Sequence, residues 1–164
     1  SALQAYAVNE PLTLKAAHLP FNEFTPAKLG VSGTFNVVVG NTAFVNAHPA
    51  ATADFLRAEM HAIGYCEGHV ETCVKMEAAD AGAAGAVFDI QHAIAEWNLS
   101  ISIVKNHSLP GVGIGVQTRA EWQPEATAIK TYKLLKTVPS LHTVVNTKLI
   151  GSIYNGKKLI WPGS

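Results

Sequence analysis

Charge is scarce in this chain, and what there is cancels. Only 15% of its 164 residues are charged, and 12 Lys/Arg balance 12 Asp/Glu. Nucleic-acid surfaces draw most of their affinity from uncompensated positive charge, so the balance argues against a nucleic-acid partner. Long apolar runs are missing too; none approaches the ~20 residues needed to span a bilayer. The opening SALQAYAV reads as strand rather than as the basic n-region of a signal peptide, and a mature form or a fragment is expected. Catalytic signatures are equally thin. The seven histidines (18, 48, 61, 69, 92, 107 and 142) fall into no HxxxH or HExxH pattern, and no GxSxG occurs. His61 and His69 flank a glycine break, where solvated or capping roles suit them. The glycine run GVGIGV, 111–116, lacks both GxGxxG spacing and the strand–loop–helix setting of a phosphate cradle. No enzyme activity, cofactor or metal site is expected from these residues.

Cysteine is limited to Cys66 and Cys73. Three readings stay open: two buried thiols, a local disulfide, or, least favoured, zinc ligands, since no CxxC or nearby ligand pair accompanies them. Seven residues along one straight helix rise ~10 Å. That exceeds the ~4.4–6.8 Å Cα separation of a disulfide. A bridge therefore requires the chain to turn between the two, and Gly68 is where it could. If bridged, the pair implies an oxidising compartment.

What is present suits one folded domain: 48% of residues are apolar. Ala2–Val8 reads as a buried strand ending at Pro11, and 12–17 as one or two helical turns. Pro20 and Pro26 bracket a loop that Phe21 and Phe24 are expected to pin. Gly30–Gly33 is a turn signal. Thr34–Gly40 (TFNVVVG) is β-branched and aromatic, a strand expected to be buried on both faces. Asn41 or Thr42 caps a helical turn, and Pro49 restarts the chain as a helix to about Cys66, with Phe55, Leu56, Met60 and Ile63 on one stripe. Another helix, Val70–Ala79, follows Gly68, and the alanine–glycine run 81–86 suggests tight helix packing. From Val87 to Val104 apolar residues step by three and four, the clearest helical signal, ending at Asn106-His107. Thr118 and Glu121 fit a capping box, or the helix begins near Pro124; Trp122, Ile129, Tyr132 and Leu135 form its apolar side until Pro139. Trp97 and Trp122 are assigned to the core. Residues 141–154 suit either a strand or short helices, and the tail 159–164 needs docking to be ordered.

One constellation could carry chemistry. Tyr6, Asn9 and Glu10 place an aromatic, an amide and a carboxylate where the first strand ends, the usual ligand position in open α/β folds. A strand cap with a surface acid is the competing reading.

Three segments resemble a family. ALQAYAVNEP is similar to the strand and E-P turn of the periplasmic substrate-binding proteins of ABC transporters, in the branch that takes sulfonates, taurine, nitrate and thiamine-pyrimidine precursors. TFNVVVGNTAFVNAHPAATADFLRA resembles that family's strand and F-x-x-x-H-P-x-x-x-x-x-F-L-x-A helix. EWQPEATAIKTYKLLKTVPSLHTVVNTKLI resembles its closing helix and tail. The likeness implies an α/β fold of the type II periplasmic-binding-protein, or Venus-flytrap, kind. The chain would supply an incomplete near lobe, helix-rich with a short parallel or mixed sheet. Residues 1–11 would be the strand and hinge returning from the far lobe, and 12–164 the carboxy-terminal part of the near lobe. The implied function is extracytoplasmic solute binding for an importer, with a small organic or anionic ligand. The implied partners are a membrane permease and either the missing amino-terminal half or a second copy. By carry-over Glu10 is the foremost ligand contact, followed by Asn9 and Tyr6; Asn9 stands where the family's turn carries Trp. The alternatives are an enzyme of the same fold related to thiamine-pyrimidine synthesis, whose clustered cysteine motif is missing here, and a structural or interaction fragment.

Overall fold

The computed structural model describes residues 2–30, 33 and 36–162. They are mostly helical, with one small antiparallel sheet. The chain divides into two compact units: residues 1–23 with 62–107, and residues 24–61 with 108–164.

In the first unit, helix α1 is Glu10–Ala16, with Pro11 buried in its first turn. Proline has no N–H to lose there, so it starts this helix instead of ending a strand. The expected strand Ala2–Val8 does not form; the segment has no regular structure before a turn at 7–9, and of it only Val8 is buried. Its ladder groups find no neighbouring strand, and a lone strand is not stable. Helix α3 (Pro49–Gly68) contributes its last turns, and α4 (Val70–Ala83) and α5 (Ile90–His107) complete the unit. Val74 is fully enclosed, and Cys66, Cys73 and Val8 are also buried. The chain breaks between α3 and α4 at His69 (φ −140°, ψ 40°), one residue past Gly68, which ends α3 without a left-handed φ. The break brings the Cα atoms of Cys66 and Cys73 to 5.8 Å, and the two form a disulfide. Lys105 pairs with Glu67 at 2.6 Å, tying the end of α5 to the end of α3.

The second unit holds α2 (Thr42–Ala47), the first turns of α3, α6 (Gln123–Thr131), α7 (Leu141–Val144), α8 (Thr147–Ser152) and a hairpin of β1 (Tyr154–Asn155) with β2 (Lys158–Leu159). Asn41 caps α2, its Oδ1 accepting from the Phe44 N–H at 3.1 Å. Thr118 and Glu121 form the expected capping box, over a short 3-10 turn that leads into α6. Leu56, Met60 and Ile153 make the buried core. The glycine run packs against it. At Gly115, φ is +79°, and a Cβ would sit 3.2 Å from Met60 Sδ; at Gly113 a Cβ would run into the Tyr154 ring. These glycines serve close backbone approach. The tail docks: the Ile160 N–H donates to the Ile153 carbonyl at 2.9 Å, and Trp161 stacks on His61 with centroids 4.0 Å apart.

Several expectations are corrected. No parallel or mixed sheet forms among the described residues; the hairpin is the whole sheet. Of the expected strand 34–40, Thr34 and Phe35 lie outside the described residues. Residues 36–40 make no ladder, and Val37, Val38 and Val39 are exposed, Val39 at 88%. β-Branched residues favour a pleated surface only when a neighbour supplies it. In the 30–33 turn, Val31 and Ser32 lie outside the described residues. Phe24 does not pin its loop, being 80% exposed, and Phe55 leaves the α3 stripe for solvent. Helix α6 stops at Thr131, well short of Pro139, because Lys133 turns left-handed; Tyr132 and Leu135 are exposed. Residues 141–152 resolve as short helices, and α4 runs four residues past the expected end.

Candidate functional site

The E-P turn gathers the three residues singled out in sequence. Glu10, the first residue of α1, turns its carboxylate back so that Oε2 accepts the Tyr6 N–H at 2.8 Å. The Asn9 N–H donates to the Tyr6 carbonyl at 3.0 Å, closing the turn. Because the turn is fixed by backbone groups, the Tyr6 ring is left out in solvent at 73% exposure, while Glu10 is half-buried. No partner other than Tyr6 meets the Glu10 carboxylate among the described residues.

A fourth residue joins them. His92 sits in the first turn of α5, where its own N–H is held by Asp89 Oδ1 at 3.0 Å. Its Nε2 lies 3.0 Å from Asn9 Oδ1. An amide oxygen only accepts, so His92 donates from Nε2, and Asn9 is oriented by it. Sequence reasoning missed this residue. The available signal was the Asp89-x-x-His92 spacing at the start of the strongest helical stripe, an N-cap pattern that fixes where the helix carrying His92 begins. The cluster therefore offers a half-buried carboxylate, an anchored amide, an imidazole and an exposed phenol. It can accept and donate hydrogen bonds to a small polar molecule. It contains no nucleophile held against a base, the arrangement that covalent catalysis needs.

Elsewhere in the same unit, Trp97 departs from its expected core role. Its indole N–H lies 3.3 Å from each Glu77 carboxylate oxygen. The ring is half-buried and lines a cleft of about 290 Å³ with Glu77, Phe88, Ala93, Glu96 and Ser100. Trp122, in the other unit, is also only half-buried, donating to Gln117 Oε1 at 2.9 Å. An indole that must satisfy its N–H stays near polar groups, and both rings do so.

Two carboxyl or phenol groups feel their surroundings. Partial burial pushes the Glu59 carboxyl and the Tyr154 phenol above their ordinary values. Tyr154 donates to the Ile114 carbonyl at 2.9 Å, whereas Glu59 Oε2 is buried without a partner among the described residues. No group of three His, Cys, Asp or Glu side chains among the described residues could hold a metal ion. Among them, too, no helix is long and apolar enough to cross a membrane.

Comparison with known proteins returned no matching family model, no matching curated protein and no matching solved structure.

Proposed function

We propose that this chain is part of the extracytoplasmic solute-binding component of an ABC importer, contributing most of one lobe of a two-lobed receptor for a small organic or anionic solute. One observation carries the reading. The E-P turn holds Tyr6, Asn9 and Glu10 together, with the Glu10 carboxylate half-exposed and Asn9 anchored on His92. These are the positions to which the family resemblance assigns ligand contacts. The segment NAHPAATADFLRA, the most specific part of that resemblance, runs from the end of α2 through His48 into the helix that restarts at Pro49. The Cys66–Cys73 bridge suits an oxidising compartment such as the periplasm. The unpaired Val37–Val39 run fits a sheet that is completed by the amino-terminal half of the receptor or by a second copy. The permease is the membrane partner in this reading.

Calorimetry on the intact receptor, with taurine, nitrate and a phosphorylated pyrimidine as probes, tests the assignment. Glu10→Ala is expected to weaken the bound probe by about 1–3 kcal/mol through loss of a charge-assisted hydrogen bond. Binding of a probe that is unchanged in Glu10→Ala, or no binding of any probe, would remove the basis for the reading.

A further inference from the structure

Zero net charge conceals a division. Unit one, residues 1–23 and 62–107, carries eight Asp/Glu against three Lys, a net of −5. Unit two, residues 24–61 and 108–164, carries four Asp/Glu against nine Lys/Arg, a net of +5. Within the second unit the imbalance is concentrated: from Ala126 to Ser164 there are six lysines and no acidic residue.

Each unit presents this charge at a cleft. On the basic side, Lys130, Lys133 and Lys136 line a shallow depression of about 420 Å³ with Leu135 and Val138. All three lysines are exposed, and no carboxylate among the described residues pairs with them. Leu134 and Leu135 are exposed beside them. On the acidic side, Glu77 and Glu96 share the 290 Å³ cleft with the Trp97 and Phe88 rings. Two carboxylates beside two aromatic rings suit an ammonium group, through ion pairing and, where a ring face is open, cation–π attraction. Val87 next to Phe88 is fully exposed, as is much of Met76 on α4. A lysine ridge edged with leucines thus has its chemical complement in an acidic cleft edged with apolar side chains.

We propose that these two surfaces are the halves of a self-association interface, with the Lys130–Lys136 ridge of one copy seated on the Glu77–Glu96 cleft of another. The inference stands apart from the solute-binding reading, since none of these residues belongs to the E-P turn. Reciprocal pairing, each copy giving a ridge and receiving one about a two-fold axis, closes a dimer, whereas a one-way contact would extend to a ring or filament.

Sedimentation velocity of the full chain tests this at about 20 mM and about 500 mM NaCl, where the Debye length falls from roughly 20 Å to roughly 4 Å. The native chain should associate at low salt and dissociate at high salt. Reversal of the ridge (K130E/K133E/K136E) and reversal of the cleft (E77K/E96K) should each weaken self-association by at least about tenfold. Mixing the two reversed chains re-creates both complementary contacts and should restore a mixed assembly, which also shows that both variants are folded. A chain that stays monomeric at low salt overturns the proposal. So does an assembly that persists unchanged at high salt, or a mixture of reversed chains that fails to associate.

Discussion

Removing the Cys66–Cys73 bridge gives the sharpest test of how α3 and α4 are held. The two cysteines are buried and lie on either side of the break at His69, and Val74, the residue after Cys73, is fully enclosed. They are separated by seven residues, so the bridge closes a short loop. Loop-closure entropy for about eight residues gives ~2.5 kcal/mol of stabilisation, at the low end for disulfides. At roughly 2–4 °C per kcal/mol for a chain of this size, Cys66→Ala/Cys73→Ala should lower the melting temperature by about 5–10 °C. Alanine suits the test because it brings no polar group into the buried site. The local readout is more decisive than the melt. The Cys73 N–H, bonded to the His69 carbonyl at 3.0 Å, and the amides that follow it in α4 should exchange faster with solvent once the tether is gone. Protection across the rest of the unit should fall less. If the double variant melts within about 1 °C of the native chain and first-turn exchange in α4 is unchanged, helix packing alone holds the break and the entropic argument fails.

Two further outcomes follow from packing and burial. Gly113→Ala places a methyl in the Tyr154 ring, and displacing that ring breaks its hydrogen bond to Ile114. A loss of about 2–3 kcal/mol is expected in urea unfolding, and a loss below about 0.5 kcal/mol would show that the loop is not packed on the hairpin. Glu59 has a raised pKa from burial, so the folded state holds its proton more tightly than the unfolded state. Its stabilising contribution is present below about pH 4 and is lost as pH rises through the raised value. Glu59→Gln should therefore gain stability over the native chain at pH 7 and show a smaller gain at pH 4; equal differences at both values refute the assignment.

Helices were legible in sequence because their signals are local. Asn41 before an apolar turn, Pro49 at a restart, Thr118-x-x-Glu121 and the stripe from Ile90 to Val104 each act through local backbone, and each marks a helix start or body that forms, although Val87, where the stripe was expected to begin, lies outside α5 and exposed. Boundaries failed where a distant contact or a backbone reversal decides them. The apolar spacing carried α6 toward Pro139, yet Lys133 reverses the chain and leaves Tyr132 and Leu135 uncovered. At the candidate site, Tyr6, Asn9 and Glu10 were found together because they are neighbours in the chain. His92 lies 83 residues from Asn9, and nothing in either stretch announces the pairing.

The strands failed for a different reason. Strand propensity describes how a side chain sits on a pleated, half-buried surface, so it has no meaning until a second strand supplies that surface. TFNVVVG satisfies every local criterion, yet its described residues 36–40 make no ladder, Asn36 turns left-handed at φ +47°, and Val37, Val38 and Val39 are exposed. The short hairpin 154–159 does form, because a two-residue turn with Gly156 at φ +61° brings its own partner alongside. The contrast separates two kinds of information. A hairpin strand carries its neighbour in the adjacent residues, whereas a central strand of a parallel sheet relies on chain that is remote in sequence. Fully burying a valine side chain stabilises by about 1.5–3 kcal/mol. The 37–39 run therefore leaves several kcal/mol unrealised in this chain alone. A surface that covered these side chains would recover part of that energy, which is the contribution the proposed receptor reading assigns to the rest of its sheet.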